Sequence, residues 1–331
     1  MKLVSIVIPC YRSEDSIRDV IAEIAETFAG QDKPDYEYEV VLVNDCSPDG
    51  VLNVIKELAA QDCHIRVLDL ARNFGQHSAI MAGFHYVSGD IVVCMDDDGQ
   101  TPPNQIFKLI NRLGEDCDLV FARYPQKKHS FFRNLGSFIN EIMLRVLLGK
   151  PKHLALMSYF ACKRYVAEEA KHYKNPYPYI GGLLIRATNK TDNVLIDHRK
   201  RVHGKSAYTY RKLLSLWMNG FTAFSVLPLR VATLMGLACS LFGFVFGSIT
   251  VIRKLLDNSV PIGYSSIMAA LMFIGGLILL MLGMLGEYLG RVYISINNSP
   301  QFVVRDTSNI RDPLNICNTI NIKDTDTHDQ D

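Results

Sequence analysis

The chain has 331 residues, with 35 basic and 34 acidic side chains and a formal net charge of +1 at pH 7. This length allows a sizeable core and more than one domain, while the balanced charge argues against a general nucleic-acid-binding protein, which carries a basic excess. The eight cysteines form no CxxC pair, so we interpret them as reduced core residues of a cytosol-facing domain and not as a disulfide framework or zinc site.

The N-terminal part of the chain alternates between strand and helix patterns. Its first apolar run is too short for the core of a signal peptide and predicts a buried strand. The predicted strands are Leu3–Ile8, Tyr38–Val43, Ile65–Leu70, Ile91–Met95 and Leu119–Ala122. The predicted helices are Ser16–Thr27, Val51–Gln61, Gln76–Val87 and Pro103–Leu113. Strands that alternate with helices indicate an α/β fold with a mostly parallel, doubly wound sheet.

Polar motifs follow three of the predicted strands. Pro9–Tyr11 follows the first strand, Asn44–Asp49 the second and Asp96–Asp98 the fourth. Ligands of such sheets bind at the carboxyl ends of the strands, so these motifs are expected to converge on one site. The chain has neither a GxGxxG nor a GxxxxGK[ST] loop, and a dinucleotide fingerprint or Walker A loop is therefore not supported.

The three consecutive acids Asp96–Asp98 have several possible functions. Carboxylates are ligands for Mg²⁺ or Mn²⁺, and such an ion could bridge the phosphates of a nucleoside diphosphate. A calcium loop would require Cys94 as its first ligand and Gln105 in place of the final Glu. The string DDDGQT also has a faint likeness to the DxDGT of a phosphatase class, although that motif lies on a first strand. The remaining alternative is a solvated acidic turn.

Two uncharged segments near the C-terminus, Val231–Ile252 and Ile262–Gly286, are long enough to cross a membrane. The first would make a helix of roughly 33 Å, and the short polar linker between them predicts a transmembrane hairpin. Buried helices of a soluble domain are the alternative. Basic residues are concentrated before the first segment, whereas the linker carries only Arg253 and Lys254. This bias places the N-terminal domain and the C-terminus in the cytoplasm.

The chain resembles the family 2 inverting glycosyltransferases with a GT-A fold in the ordered motifs IVIPCYRSED, VVLVNDCSPDG, LARNFGQHSAIMAGF and VVCMDDDGQTPP. It is further similar to the membrane-anchored polyprenyl-phosphate glycosyltransferases, the dolichol-phosphate mannose synthase-like group, in VFARYPQKKHSFFRNLGSF, RKRVHGKSAYTYRKLLSL, FSVLPLR and GEYLGRVY. The resemblance extends to about residue 305. It implies a Rossmann-like GT-A catalytic domain, interfacial helices and a two-helix transmembrane hairpin.

The resemblance also implies a set of residues around the donor nucleotide. The nucleobase, usually uracil, would be held by Pro9, Tyr11 and Asp45. The chain departs from the family pattern at Arg12–Ser13, where an Asn-Glu pair is common, at Cys46, where Gly is common, and at Gly99, where Leu is common. These departures concern the choice of nucleotide and sugar and not the class of enzyme.

The acid triplet matches the DxD pair of the same family. Asp98 and Gln100 are then the expected ligands of Mg²⁺ or Mn²⁺. Asp96 would support the donor, and Asp97 would lie near its ribose or sugar. The expected catalytic residues are Asp96, Asp98 and Arg123.

A polyprenyl phosphate is the acceptor that the resemblance implies. Its second pKa lies near 6, so its oxygen is already an ionised nucleophile at neutral pH and needs no general base. Cations that position and neutralise the phosphate are needed instead. The residues expected to bind it are Arg123, Arg133, Arg201 and Ser206.

These inferences divide the chain into four parts and predict its location. A cytoplasmic GT-A domain spans 1–205, an interfacial amphipathic segment 206–229, the two transmembrane helices 230–291, and a cytoplasmic polar tail, expected to be disordered at its end, 292–331. We expect an integral protein of the bacterial inner membrane, and its small membrane footprint is compatible with a homo-oligomer. The alternatives are a catalytically silent membrane scaffold that binds sugar nucleotides, and a glycosyltransferase with another membrane acceptor.

Overall fold

The computed structural model describes residues 2–30, 35–124, 151, 154–197, 238, 245, 263–296 and 300–310. These residues belong to two compact units: the described residues up to 197 and 300–310 lie in the first, and the helix within 263–296 lies in the second. The interfacial segment 206–229 lies outside the described residues. Of the first predicted membrane helix, only residues 238 and 245 are described, and both are helical.

One mixed sheet forms the framework of the first unit. Its strands are β1 Lys2–Cys10, β2 Tyr36–Asn44, β3 Ile65–Leu70, β4 Ile91–Cys94, β5 Leu119–Arg123, β6 Phe160–Lys163, β7 Thr191–Leu195 and β8 Val304–Ser308. They lie in the order β7-β5-β6-β4-β1-β2-β3-β8. The neighbours among β1–β4 pair in parallel, whereas β6 is antiparallel to both β4 and β5, and β8 is antiparallel to β3. The predicted α/β class and the parallel centre of the sheet are confirmed.

Helices of the first unit connect these strands and pack against the sheet, and one further helix lies in the second unit. They are α1 Ile17–Ala29, α2 Val51–Gln61, α3 Gln76–Phe84, α4 Ile106–Ile110, α5 Arg164–Lys171, α6 Ile180–Ala187 and α7 Tyr264–Ile296. Each of the first three falls within about three residues of its predicted range. The fourth starts as a 3₁₀ turn at Pro103–Gln105 and ends at Ile110, three residues before the predicted end.

Strand β1 is buried on both faces, which explains its continuous apolar sequence. Val4, Ile6 and Ile8 lie in the main core. On the opposite face, α3 packs closely over β1 at Gly83, where a Cβ atom would collide with the side chain of Val7. Because α3 follows the carboxyl end of β3, its first residues lie next to that edge of the sheet.

The polar segment after Pro300 differs from the prediction. The sequence predicts no strand in this tail and disorder at its end, but Val304–Ser308 forms the edge strand β8 and extends the sheet of the first unit. Its register joins Leu70 to Val304 and Asp69 to Asp306. A strand with four consecutive polar residues after Val304 has no periodic apolar signal, and its pairing with β3 is what stabilises it.

Helix α7 forms most of the described part of the second unit. It has 33 residues and continues ten residues beyond the predicted end at Gly286. Its window Phe273–Gly290 has a mean hydropathy of 1.8, so the helix is apolar and long enough to cross a membrane. At 1.5 Å per residue the whole helix is roughly 50 Å long, more than the hydrocarbon core alone requires.

A buried ion pair lies in the first unit towards the amino ends of β1 and β2. Arg66 Nη2 lies 2.7 Å from Glu39 Oε2, and both side chains are less than a tenth exposed. Glu39 Oε1 also accepts hydrogen bonds from the Ser5 hydroxyl (2.5 Å) and the Ser88 N–H (2.6 Å). Arg66 Nη1 donates to the Tyr86 carbonyl. The network ties β1, β2, β3 and the turn before β4 together.

We predict that Glu39→Ala lowers the free energy of unfolding by about 3–5 kcal/mol, because removal of one partner leaves Arg66 buried without its counter-charge. The matched control is Glu37→Ala, an exposed glutamate two residues earlier on β2, which should change stability by at most about 0.5 kcal/mol. Chemical denaturation of the detergent-solubilised protein measures both. Equal effects of the two substitutions would show that the ion pair does not stabilise the fold.

Candidate active site

The loops that follow β1, β2 and β4 meet at one edge of the sheet, as the sequence predicts. Their strands are parallel neighbours, with Cys10 opposite Asn44 and Val7 opposite Cys94. The Tyr11 N–H donates to Asp97 Oδ2 (2.9 Å), and so joins the first loop to the acid loop, Asp96–Thr101. This edge is the candidate active site.

Asp96 is held in a fixed orientation. The Gln76 side chain donates to its Oδ1 (2.8 Å) and the Ser158 hydroxyl to its Oδ2 (2.5 Å). The Thr101 hydroxyl donates to its backbone carbonyl (3.2 Å). These donors come from α3, from the segment before β6 and from the acid loop itself. The Asp96 carboxylate is therefore a rigid acceptor at the centre of the edge.

The Asp97 carboxylate faces the loop after β1, where it accepts the Tyr11 N–H. Besides the bond from Tyr11, its backbone carbonyl accepts the Ser16 hydroxyl (2.7 Å). Burial raises the pKa of Asp97 to about 6, and the charges of Asp96 and Asp98 act in the same direction. Asp97 thus serves to fasten the acid loop to the start of α1.

Asp98 and Gln100 flank a tight turn. Gly99 has φ +72°, in the left-handed region that favours glycine, and open space surrounds the position of a Cβ atom there. The Gln100 N–H donates to Asp98 Oδ1 (3.0 Å), and both residues are half-buried. Their carboxylate and amide oxygens are the ligand types that Mg²⁺ and Mn²⁺ prefer.

The three acids do not act as one cluster of ligands. Across the part of the chain that the structure describes, the only set of three His, Cys, Asp or Glu ligand atoms within 4.8 Å of one another is that of Asp62, Cys63 and His64. Asp98 with Gln100 stays the metal-binding pair that the sequence predicts, and the two residues are joined by the hydrogen bond from the Gln100 N–H. The donor set fits a hard divalent ion.

The residues expected at the nucleobase have different environments. Tyr11 is 43% exposed and can contact a ligand. Asp45 is 3% exposed, and its carboxylate accepts the N–H groups of Phe74 (2.7 Å) and Gly75 (2.8 Å). Burial raises the pKa of Asp45, while those two N–H groups lower it. Pro9 is buried within β1 opposite Val43. Asp45 therefore holds the turn before α3, while Pro9 is part of the strand itself.

Arg123 lies at the same edge as the acid loop. It ends β5, which runs in the same direction as β4 because β6 is antiparallel to both. Its side chain is exposed, and its carbonyl accepts the Ile196 N–H (3.0 Å). Arg133, Arg201 and Ser206, the other residues expected to bind the acceptor phosphate, lie outside the described residues.

Three site residues were not expected from the sequence. Gln76 and Ser158 hold Asp96 as described above. Tyr124 is close enough to the acid loop that, after burial, the charges of Asp96 and Asp98 contribute to raising its pKa to about 12. Gln76 lies in the motif LARNFGQHSAIMAGF, and Tyr124 directly follows Arg123. These places in the sequence were the only signals that could have identified the two residues.

Comparison with known proteins identifies the family of both segments. Residues 5–170 match glycosyl transferase family 2, and residues 227–292 match the GtrB C-terminal hairpin. A glycosyltransferase of Bacillus subtilis (strain 168), YkcC, whose function is uncharacterised, is 31% identical over 307 residues, which are 92% of this chain and 94% of that protein. The undecaprenyl-phosphate 4-deoxy-4-formamido-L-arabinose transferase of Yersinia pestis (strain Pestoides F) is 33% identical over 309 residues, 92% of this chain and 93% of that protein.

A solved structure that aligns with part of this chain is that of glucosyl-3-phosphoglycerate synthase from Mycobacterium tuberculosis in complex with Mn²⁺ and UDP-glucose. It is 20% identical, with a TM-score of 0.49, and the match covers 71% of this chain and 78% of that one. This likeness is too low to support a functional argument. The family match and the two relatives along most of the chain are sufficient: this protein is a glycosyltransferase and belongs to glycosyl transferase family 2.

Proposed function

We propose that this protein is an inverting glycosyltransferase that moves a sugar from a nucleoside diphosphate, with UDP as the expected nucleotide, to a polyprenyl phosphate at the cytoplasmic face of a membrane. The proposal rests on the edge of the sheet that carries Asp98, Gln100 and Arg123. It is supported by the likeness to an undecaprenyl-phosphate sugar transferase along 92% of the chain. A silent sugar-nucleotide-binding scaffold would bind donor without turnover.

On the donor side, Asp98 and Gln100 would hold Mg²⁺ or Mn²⁺, which supplies positive charge to a departing diphosphate. Asp96, held by Gln76 and Ser158, offers a fixed acceptor for donor hydroxyl groups. Asp97 keeps the acid loop against the loop after β1, where the exposed Tyr11 ring can stack on a nucleobase. The protein thereby orients the donor before reaction, which is a large part of catalysis.

On the acceptor side, an ionised oxygen of the lipid phosphate attacks the anomeric carbon and forms the new carbon–oxygen bond. The bond from that carbon to the nucleoside diphosphate breaks, and its electron pair leaves with the diphosphate. Attack from the opposite side inverts the anomeric centre. Arg123 can grip the acceptor phosphate through two parallel hydrogen bonds. Arg133, Arg201 and Ser206 are proposed as further contacts to it.

The position of β8 supports a hairpin through the membrane. Residues up to 197 and residues 300–310 build one sheet, so both ends of the intervening segment lie on the same side of any membrane it crosses. The number of crossings between them is therefore even. If α7 crosses the membrane as its length and composition allow, an even number of crossings needs a second span, and 231–252 is the proposed one. The match of 227–292 to a C-terminal hairpin supports the same arrangement.

We predict that Asp98→Asn lowers transfer at least about 100-fold, because the loop loses a charged metal ligand. The thermal midpoint should stay near that of the wild type, since Asp98 is half-buried at a loop. The control is Asp19→Asn, which removes the same charge from an exposed position of α1. Mass spectrometry of the lipid product, after incubation with Mn²⁺ and a panel of sugar nucleotides, measures transfer. Full activity of Asp98→Asn would contradict the metal assignment and favour the interpretation of the loop as a solvated acidic turn.

We predict that Arg123→Ala lowers kcat at saturating lipid about 100-fold, whereas the KM for the sugar nucleotide changes little. Arg123→Lys should recover part of the loss, because it restores the charge but not the paired hydrogen bonds. The control is Arg18→Ala, in a solvent-exposed ion pair with Glu57 that contributes little. Normal turnover of Arg123→Ala at saturating lipid would contradict the assignment of Arg123 to the acceptor.

The hairpin predicts which positions face outward in spheroplasts. A membrane-impermeant maleimide should label Ser259→Cys, in the linker between the two proposed spans, and should leave the native Cys63 unlabelled. Cys63 is exposed on the first unit, which is the proposed catalytic unit. It should therefore react once the membrane is permeabilised, and it serves as an internal control. Labelling of Cys63 in sealed spheroplasts would place the catalytic unit on the outer face and contradict the proposal.

A further inference from the structure

A buried carboxylate connects β8 to the loops of the donor side. Asp69 lies near the carboxyl end of β3, and its side chain is 2% exposed. Its Oδ2 accepts hydrogen bonds from Arg305 Nε (2.9 Å) and Nη2 (2.6 Å), and its Oδ1 accepts one from Asn44 Nδ2 (2.8 Å). A buried carboxylate needs a counter-charge and donors, and Arg305 supplies the charge.

The chain of contacts continues from Asn44 into the candidate active site. Asn44 Oδ1 accepts the Ser47 N–H (3.1 Å), and the Ser47 hydroxyl in turn accepts the Arg12 N–H (2.8 Å). Ser47 also donates to Asp49 Oδ1 (2.5 Å). These bonds hold the loop after β2, Asn44–Asp49, against the loop after β1. Both loops lie on the donor side of the acid loop.

Arg305 and its neighbour on β8, Asp306, have different partners. Asp306 forms an ion pair with Lys56 of α2 (2.6 Å) instead. Other contacts of the segment, such as the Ala71 N–H to the Val303 carbonyl (2.9 Å), join backbone to backbone. Arg305 also lies at the opposite end of the sheet from Arg123, because the strand order places β8 and β5 on different sides of β4.

We propose that Arg305 is a positioning residue for the donor nucleotide: through Asp69 and Asn44 it holds the loop Asn44–Asp49 in the form that receives the nucleoside diphosphate. The inference deepens the proposed function and rests on it. A segment that follows the long apolar helix thereby completes the donor side of the catalytic unit. Without Arg305, the Asp69 carboxylate loses its counter-charge and needs other donors, such as water. Its bond with the Asn44 amide is then no longer fixed, and the loop Asn44–Asp49 loses its fixed shape.

The test is steady-state kinetics of the full-length protein with Arg305→Met. We expect the KM for the sugar nucleotide to rise about tenfold, while kcat and the KM for the lipid change less than about twofold. Arg305→Lys should lie between the wild type and Arg305→Met. The matched control Asp306→Asn, which breaks the ion pair with Lys56 on the same strand, should leave all three constants unchanged. A fall in kcat alone, or equal effects of Arg305→Met and Asp306→Asn, would overturn the proposal.

A double-mutant cycle isolates the connection through Asp69. In an Asp69→Asn background, Arg305→Met should raise the donor KM less than about twofold further, because the buried charge it served is gone. A full tenfold rise in that background would show that Arg305 acts by another route. If Arg305→Met does not fold, the same comparison with Arg305→Lys decides the question.

Calorimetric titration with UDP and with GDP, each with Mn²⁺, separates this inference from the proposed function. If the wild-type protein binds neither nucleotide, the proposed function fails and the inference with it. If the wild-type protein binds one of them and Arg305→Met binds it equally well, the inference alone fails. Weaker binding by Arg305→Met, with wild-type affinity in Asp306→Asn, supports both.

Discussion

The crowding of carboxylates at one edge of the sheet is the constraint on which the rest of this structure depends. Asp45, Asp69 and Asp96–Asp98 all lie where parallel strands end, and each must be held by donors that are fixed in place. The donors come from several directions: backbone N–H groups before α3, the side chain of Gln76, the hydroxyl of Ser158 and the guanidinium of Arg305. Each acid is consequently oriented before a ligand arrives.

Acids that look alike in the sequence have different roles in this structure. Asp45 and Asp69 are almost fully buried and shape the loops, Asp96 is a rigid acceptor, and Asp97 fastens the acid loop to α1. Asp98, beside the left-handed Gly99, is the acid that the turn presents together with Gln100. Positive charge lies at both ends of the same edge, with Arg123 on β5 and Arg305 on β8. Under the proposed function, an anionic acceptor would approach this acidic centre from the side of Arg123, whereas Arg305 is paired with Asp69.

The framework was predictable from the sequence where burial leaves a clear pattern. Strands β1–β5 each contain a run of buried, mostly apolar residues and were found with small errors at their ends. Strands β6, β7 and β8 were missed because FACK, TDNVL and VRDTS are short or polar, and their pairing partners are distant in the chain. The acid loop was recognisable because consecutive like charges are unusual after a buried strand. The donors Gln76, Ser158 and Arg305 were not, since one amide, hydroxyl or guanidinium carries no pattern until the fold places it beside a carboxylate.

The late position of β8 in the chain has a consequence for biosynthesis. Arg305 and Asp69 are 236 residues apart, so at about 5–20 residues per second the ribosome delivers the arginine roughly 10–50 s after the carboxylate it neutralises. During that interval the edge of β3 is unpaired and Asp69 lacks its counter-charge. The long apolar helix α7 must leave the ribosome before this state ends. The nascent first unit therefore completes its sheet only after the segment beyond α7 has been synthesised. A chain that stops before Pro300 keeps the edge of β3 unpaired, which favours aggregation.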